Sequence, residues 1–423
     1  MKIWVTGFGC SANLAETEQI KGYLSAQNVQ LVSNPRLACR IIIHSCGVKK
    51  ATEFKIKRRV QELKKANPKA QIIVSGCLPK INFSLLEHES NLIQAGPELE
   101  SITQHLSLSS NSFSPLLPIK PANHFVSMIP IATGCLSNCS FCGTKKAKGT
   151  LQSHSIPTIQ SRFEQDVKKG IKEFWLTSQD NGCYGFDLKT NLPQLVNALL
   201  SSTENFRIRI GMLSPHYIER YLDDFIELFS DKRIFKFVHL SVQSGNNRIL
   251  KLMRRAYSVE QFESTVQELR QKIPGLSLST DIIVGFPTET EKEFLDSVEL
   301  VKYLQPDVVN IARFGLRPNT LAEQLPDMID REKTNRSHLL SRVCRNLLLK
   351  KNLALIGKKE TVLISEKAKH HGFIGRTNSY RPVVVPHAVL GTFSTVHIRE
   401  AFPHFLKGVL EKEMLNPLLA KPA

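Results

Sequence analysis

No apolar run in this sequence is long enough to cross a bilayer. Its first residues, Met1-Lys2-Ile3-Trp4-Val5, pass straight into a strand-like pattern with no cleavage site, so the expectation is a mature cytoplasmic chain. Acidic residues are few beside basic ones, 38 against 56, leaving a formal net charge of +18. An excess of this size makes a polyanion the default partner, with nucleic acid ahead of a membrane surface. The plainer alternative is a lysine-rich surface that only keeps the chain soluble. With 42% hydrophobic and 22% charged residues the chain has no overall signature of disorder. A disulfide framework lacks support too, because the nine cysteines are odd in number, scattered, and unaccompanied by a secretory signal. They read better as thiolate ligands. At 423 residues, two or three domains are expected.

Three of the cysteines lie together in Gly134-Cys135-Leu136-Ser137-Asn138-Cys139-Ser140-Phe141-Cys142-Gly143, a C-x3-C-x2-C spacing. On one short loop, three thiolates can converge on three corners of a cubane iron–sulfur cluster, whereas full protein ligation takes four. The fourth iron would stay open to hold a substrate or cofactor, as a catalytic zinc keeps one position free. A zinc knuckle is the competing reading, but no fourth ligand stands at a usual spacing; three unrelated core cysteines are another.

Upstream, β-rich runs at 2–6, 40–44 and 71–75 alternate with helical stretches at 15–26 and 52–66, a pattern that implies a parallel sheet covered by helices. Each of these strands ends in a turn bearing one cysteine: Cys10, Cys46 and Cys77. The carboxyl-terminal loops of such a sheet share one edge, where ligands bind. Singly, each cysteine reads as a small buried hydrophobe; as a set, a second three-cysteine cluster is the better reading. The helix after Cys46 carries Lys49, Lys50, Lys55, Lys57, Arg58, Arg59, Lys64, Lys65 and Lys69 against Glu53 and Glu62, with Ile56, Val60 and Leu63 at helical spacing. One face packs and the other, cationic, could hold RNA phosphates or simply be solvated.

A Ser- and Pro-rich stretch at 107–124 reads as a linker after a first domain at 1–106. Six strand-like runs follow at 129–133, 173–178, 207–213, 237–242, 276–284 and 308–314, separated by helices. They suggest an open six-unit version of a β/α barrel over 125–355, with its active face at the loops after the strands. From 358 onward short strands at 360–365, 372–377, 381–385 and 392–398 suggest a small β-barrel within 356–423. The fold class is therefore α/β with a small terminal barrel.

The cluster loop resembles the signature of the radical S-adenosylmethionine (SAM) superfamily, in which the open iron chelates the amino and carboxyl groups of SAM. The blocks Gly9-Cys10-Ser11-Ala12-Asn13, Ser45-Cys46-Gly47-Val48-Lys49 and Gly76-Cys77-Leu78-Pro79 narrow the resemblance to methylthiotransferases, and within them to the archaeal and eukaryotic branch acting on threonylcarbamoyladenosine in tRNA. Gly375-Arg376-Thr377 and Tyr380-Arg381-Pro382 resemble the RNA-binding TRAM domain. The resemblance implies two 4Fe-4S clusters, one on Cys135, Cys139 and Cys142 that reduces SAM to a deoxyadenosyl radical, the other on Cys10, Cys46 and Cys77 that carries sulfur to adenine C2. It also implies the anticodon loop of tRNA as substrate, a sulfur donor, and a one-electron reductant such as a ferredoxin or flavodoxin. By the same resemblance Gln179, Asp180, Gln243, Ser244, Asp281 and Arg313 are candidates to hold SAM or orient the substrate. Strand-end caps at Asp180 and Asp281 and a phosphate clamp at Arg313 are the alternatives. Lys148 stands where many members have arginine, and Asn319 where glycine is usual. Cys39, Cys183 and Cys344 match no ligand block, and Cys183 reads as space-filling. The eukaryotic relatives carry a hydrophobic membrane tail, and no counterpart is expected here, since the apolar stretch at 415–419 is too short to span a bilayer. Rival expectations are the same chemistry on isopentenyl-adenosine or a ribosomal protein, and a non-catalytic metal-containing RNA-binding protein.

Overall fold

Strands β1 (Lys2–Gly7), β2 (Gln30–Leu31), β3 (Arg40–Ser45), β4 (Gln71–Gly76) and β5 (Leu92–Gln94) pair in parallel in the order β2-β1-β3-β4-β5 in the computed structural model, which describes residues 1–411. Ile3, Val5, Ile42 and Ile73 bury against Ile20, Tyr23 and Leu24 of helix Ser11–Ala26. On the other face Ile41, Ile43, Ile72 and Val74 meet Ile56, Val60 and Leu63 of helix Lys50–Ala66. Apolar strands covered on both faces are what a parallel sheet requires, each fully buried Ile or Val contributing about 2 kcal/mol. The register, Gly7 opposite His44 and Ser45 opposite Gly76, sets the ends of β1, β3 and β4 level.

The stretch expected as a linker has no helix or strand over 107–125, yet it is packed. Leu117 joins the first core, Ala122 N–H donates to Glu18 (2.8 Å), and the carbonyls of Pro115 and Leu117 accept from buried Arg162 (3.1 and 3.4 Å).

Then come β6 (Val126–Pro130), β7 (Ala132–Thr133), β8 (Gln152–Ser153), β9 (Glu173–Thr177), β10 (Arg207–Ile210), β11 (Phe237–His239), β12 (Ser277–Val284) and β13 (Val308–Arg313). Strands β6, β9 and β10 form one parallel sheet and β11, β12 and β13 another, joined by isolated parallel bridges at Ile208–Ile234 and Leu213–Leu240. Among the described residues β6 and β13 do not pair, so this is the open six-unit barrel expected from the sequence. The short pair β7–β8 is antiparallel and brackets the cluster loop. Phe174, Leu176, Ile208 and Val238 pack outward with Phe163, Val196 and Phe262 of the helices. Period-2 alternation turns Trp175, Arg209, His239, Ser279 and Asp281 toward the lumen.

Helix Asp330–Leu353 leads to a closed barrel of β14 (Lys359–Lys367), β15 (Phe373–Thr377), β16 (Pro382–Val385), β17 (Phe393–Ala401) and β18 (Leu406–Leu410), ordered β14-β15-β16-β18-β17. The sequence pattern shows only four of these strands. The fifth, β18, has Gly408 at its centre, where a Cβ would sit 2.3 Å from Val396 Cγ1. Tyr380, at positive φ (64°) between β15 and β16, plugs the underside of the partial barrel against Phe235 and Phe237, ring centroids 4.8 and 5.1 Å away. No described helix is long and apolar enough to cross a membrane. The stretch 415–419, weighed above as a tail, lies outside the described residues, as does the end of the 356–423 segment.

Candidate active site

Three level strand ends deliver Cys10, Cys46 and Cys77 to one edge of the first sheet. Cys10 opens helix Ser11–Ala26, and Cys77 opens the short helix Cys77–Ile81. Cys46 Sγ accepts the backbone N–H of Cys10 and lies 3.5 Å from that of Val48. Burial pushes the Cys77 thiol far up, with Cys46 and Cys10 close enough to add to the shift. Asn13 ties the loops together, its Nδ2 donating to the carbonyls of Phe8 and Ser45 (both 2.9 Å). Gly9 is required here: at φ +120°, a Cβ would fall 2.8 Å from Cys46 Sγ. Gly76 has the same character, since at φ +90° a Cβ would fall 2.3 Å from the Ser45 carbonyl.

The second set, Cys135, Cys139 and Cys142, wraps at the top of the partial barrel. Backbone N–H groups of Ser137 and Lys145 point at Cys135 and Cys142 Sγ (3.3 and 3.4 Å). Gln179 Oε1 accepts the Gly134 N–H (2.7 Å) and pins the loop's start to β9. Burial pushes the Cys142 thiol up to about 11, helped by neighbouring Cys139. Arg255, not among the residues expected from the sequence, donates to Cys139 Sγ, Ser214 Oγ and the Ser241 carbonyl (3.2 Å each), and to Tyr257 Oη (2.8 Å). Its signal lay in the basic run at 254–255 after the fourth barrel strand.

Cys183, expected to fill space, is buried beside Cys135; with Asp180 the pair places three ligand atoms within 4.8 Å of one another. Hydrogen bonding from Cys183 holds the Cys135 thiol below its usual range despite burial. Asp180 itself is committed to local structure, accepting from the backbone N–H of Gly182 and Ser214 (2.9 and 3.1 Å), and burial raises its pKa.

The remaining candidates divide. Asp281 faces the lumen, accepting from His239 Nε2 (3.0 Å), Asn310 Nδ2 (2.8 Å) and the Ser241 hydroxyl. Burial opposes its ionisation, but His239 and these donors outweigh it and hold the carboxyl down to about 2. Gln243, at φ +75°, shares backbone hydrogen bonds with Asp281 and Ile283 (2.8 and 2.9 Å), and buried Ser244 caps the next turn by accepting from Asn246 N–H (3.2 Å). Arg313 stands apart on the opposite face of β13, bonded to Thr334 Oγ1 (2.6 Å), and does not join the Asp281 group.

The loops that carry the two cysteine sets meet at one side chain. Ile81 sits between them, so that a Cβ on Gly47 or on Gly143 would strike it at 2.6 or 2.9 Å. Beside it lies a buried polar chain: Lys148 Nζ reaches both Glu16 oxygens (2.6 and 2.7 Å), Glu16 accepts from His44 Nε2 (2.8 Å), and His44 Nδ1 pairs with Ser75 Oγ (3.0 Å). Lys148 follows one cysteine set, while Glu16 lies on the helix Ser11–Ala26 and His44 and Ser75 at the ends of β3 and β4, the elements that carry the other set. Arg317, also not expected from the sequence, bonds Val48 O (3.1 Å) and pairs with buried Glu53 (3.4 Å). Each set therefore offers three soft donors on Gly-relieved, backbone-lined loops, which suits a 4Fe-4S cluster with one iron open. Binding iron would displace the protons that burial now favours on Cys77 and Cys142.

On the basic helix, Arg58 and Arg59 pair with Glu62, and Lys64 with Glu89, so part of the expected cationic face is neutralised.

Matches to known proteins agree with this geometry. Residues 129–301 match the model of the Radical SAM superfamily, 2–95 that of "Uncharacterized protein family UPF0004", and 354–410 that of the TRAM domain. The radical SAM methyltransferase TsrM from Kitasatospora setae, solved with cobalamin and a [4Fe-4S] cluster bound, shares the fold at a TM-score of 0.55 and 12% identity, over 76% of this chain and 77% of its own. The open barrel with its three-cysteine loop thus defines a radical-SAM enzyme, which uses an iron–sulfur cluster and SAM. The "Probable threonylcarbamoyladenosine tRNA methylthiotransferase" of Pyrococcus abyssi is 38% identical over 96% of this chain and 99% of its own length; that of Archaeoglobus fulgidus is 37% identical over 98% and 99%. The human "Threonylcarbamoyladenosine tRNA methylthiotransferase" is 31% identical over all of this chain and 76% of its own length. This chain belongs to the threonylcarbamoyladenosine tRNA methylthiotransferase family.

Proposed function

We propose that this chain replaces the C2 hydrogen of N6-threonylcarbamoyladenosine, next to the tRNA anticodon, with a methylthio group, using two 4Fe-4S clusters on Cys135/Cys139/Cys142 and Cys10/Cys46/Cys77. The observation that carries the reading is the approach of the two cysteine sets across Ile81 above one lumen. An aromatic C–H offers no leaving group and no acidic proton, so a radical-generating cofactor must supply the hard step. The protein's part is placement. Arg255 holds a positive charge on Cys139, and the Lys148–Glu16–His44 chain fixes one set against the other. The Ser11 hydroxyl, 2.8 Å from that of Thr177, sets the Cys10 turn over the lumen as a lid. A loop adenosine enters more easily than one stacked in a duplex, and the basic helix and terminal barrel are the surfaces for RNA backbone. Electrons would come from a ferredoxin or flavodoxin and sulfur from a separate donor.

The test is digestion and mass spectrometry of tRNA after incubation with iron-loaded protein, SAM, sulfide and reductant. Methylthiolation of threonylcarbamoyladenosine tRNA and not of isopentenyl-adenosine tRNA is expected. Salt-sensitive RNA binding without SAM cleavage would instead favour an RNA-binding protein with structural metal.

A further inference from the structure

Below the cysteine sets, the barrel lumen continues into a cavity of about 630 Å³ bounded by β10 to β13, helix Asp330–Leu353 and the plug at Tyr380. Its lining is cationic. Arg381 is already bonded to Asp307 and Asn352, and Arg376 to Glu366. Arg345, also on the lining, is exposed at its edge. Arg209 lies deeper: among the described residues its side chain has no carboxylate partner and no hydrogen bond, and its Nε is buried unpaired. It is held by rings alone, with centroids of Trp175, Phe237 and Tyr380 at 5.4, 5.3 and 5.2 Å. Stacking on ring faces leaves the in-plane N–H groups of a guanidinium free, which is the geometry that binds carboxylate in bidentate fashion. Arg209 is half-buried, and the carboxylate on this wall, Glu173, is taken up by Trp175 Nε1 and Tyr380 Oη (2.7 and 3.3 Å), so the guanidinium's own hydrogen-bonding capacity is left for a ligand.

Height in the lumen selects the ligand. Arg209 pairs with Trp175 across the sheet, and Thr177, under the Ser11 lid, lies two residues higher on β9. At strand rise this is about 7 Å. On the function proposed above, the substrate base carries an arm ending in a carboxylate, about 5 Å from N6 by ordinary bond lengths. Adding the roughly 3 Å of a charge-assisted N–H···O contact gives a reach of about 8 Å, comparable to the rise of about 7 Å between Arg209 and Thr177.

We propose that the lumen cavity binds the N6 arm of the modified adenosine, with the Arg209 guanidinium pairing with its carboxylate, so that Arg209 selects threonylcarbamoyladenosine over neutral modified adenosines. This rests on the assigned substrate class.

The test measures binding of anticodon stem-loop RNAs to iron-loaded full-length protein by fluorescence anisotropy, with single-turnover product formation alongside. The RNAs carry threonylcarbamoyladenosine, its methyl ester, or isopentenyl-adenosine, and the proteins are wild type and Arg209→Gln. Wild type should bind the acid about 10- to 100-fold tighter than the ester, the range of a charge-assisted hydrogen-bonded pair. Arg209→Gln should bind the two alike while its affinity for the ester stays at the wild-type level. An undiminished acid preference in Arg209→Gln overturns the proposal. So does an equal loss for acid and ester, which marks a backbone-phosphate contact or a structural role. Wild type that modifies isopentenyl RNA and ignores both threonylcarbamoyl forms contradicts the function assignment itself, a result distinguishable because it does not depend on the variant.

Discussion

Breaking the Lys148–Glu16 pair should loosen the joint between the two cysteine sets. Both side chains are nearly sealed from water, 4% and 6% exposed, with the closest N···O distance 2.6 Å. At an effective dielectric of about 20, that separation gives an attraction of about 6 kcal/mol. Dehydrating each ion costs several kcal/mol, so the intact pair contributes little net, but removing one partner strands the other and should cost about 3–5 kcal/mol. Glu16→Gln and Lys148→Met should each show this loss, and the double variant should fall short of the summed losses by about 2 kcal/mol. Urea unfolding followed by tryptophan fluorescence is a suitable assay, because Trp4 lies in the first sheet and Trp175 in the partial barrel. The loss should fade with acidification: Lys148 and His44 hold the Glu16 pKa down against burial, so its contribution is present above about pH 4 and disappears as pH falls through the lowered value. Single variants within about 0.5 kcal/mol of wild type, or losses that simply add, would refute the reasoning.

Asp281→Asn should destabilise the barrel by about 2 kcal/mol at neutral pH, since the carboxyl is held down to about 2; the difference should shrink as pH falls from about 4 toward 2, measured by denaturation across that range. Leu406→Ala, fully buried in β18, should cost about 2–5 kcal/mol and show as earlier protease cleavage in the terminal barrel. Substituting Gln for Lys55, Lys57 and Lys65, which have no carboxylate partner among the described residues, should lower the slope of log affinity against log salt for tRNA by about 2, read from binding titrations.

The architecture was largely legible because its signals are local and periodic. Branched apolar runs alternating with helices gave both α/β units, and six cysteines at strand ends or on one loop pointed to the candidate site. What the sequence left obscure depends on long-range contact. Residues 107–124 read as a linker by composition, yet Arg162 and Glu18 bind that stretch down through its backbone. Strand β18 was hidden by Gly408, whose small size matters only once Val396 lies beside it. Arg313 matched a family block but sits on the far face of β13, because strand alternation decides facing and a motif does not. Arg255 and Arg317 acquire roles only when distant loops converge on them. Cys183, unremarkable in sequence, comes within reach of Cys135 because the Asp180-capped turn folds it there.

The most direct test of the account is iron and sulfide content after anaerobic reconstitution, for wild type and for two triple variants, Cys10/Cys46/Cys77→Ala and Cys135/Cys139/Cys142→Ala. Two clusters require about eight irons per chain in the wild type and about four in each variant. About four irons in the wild type, unchanged by one of the triple substitutions, would contradict it.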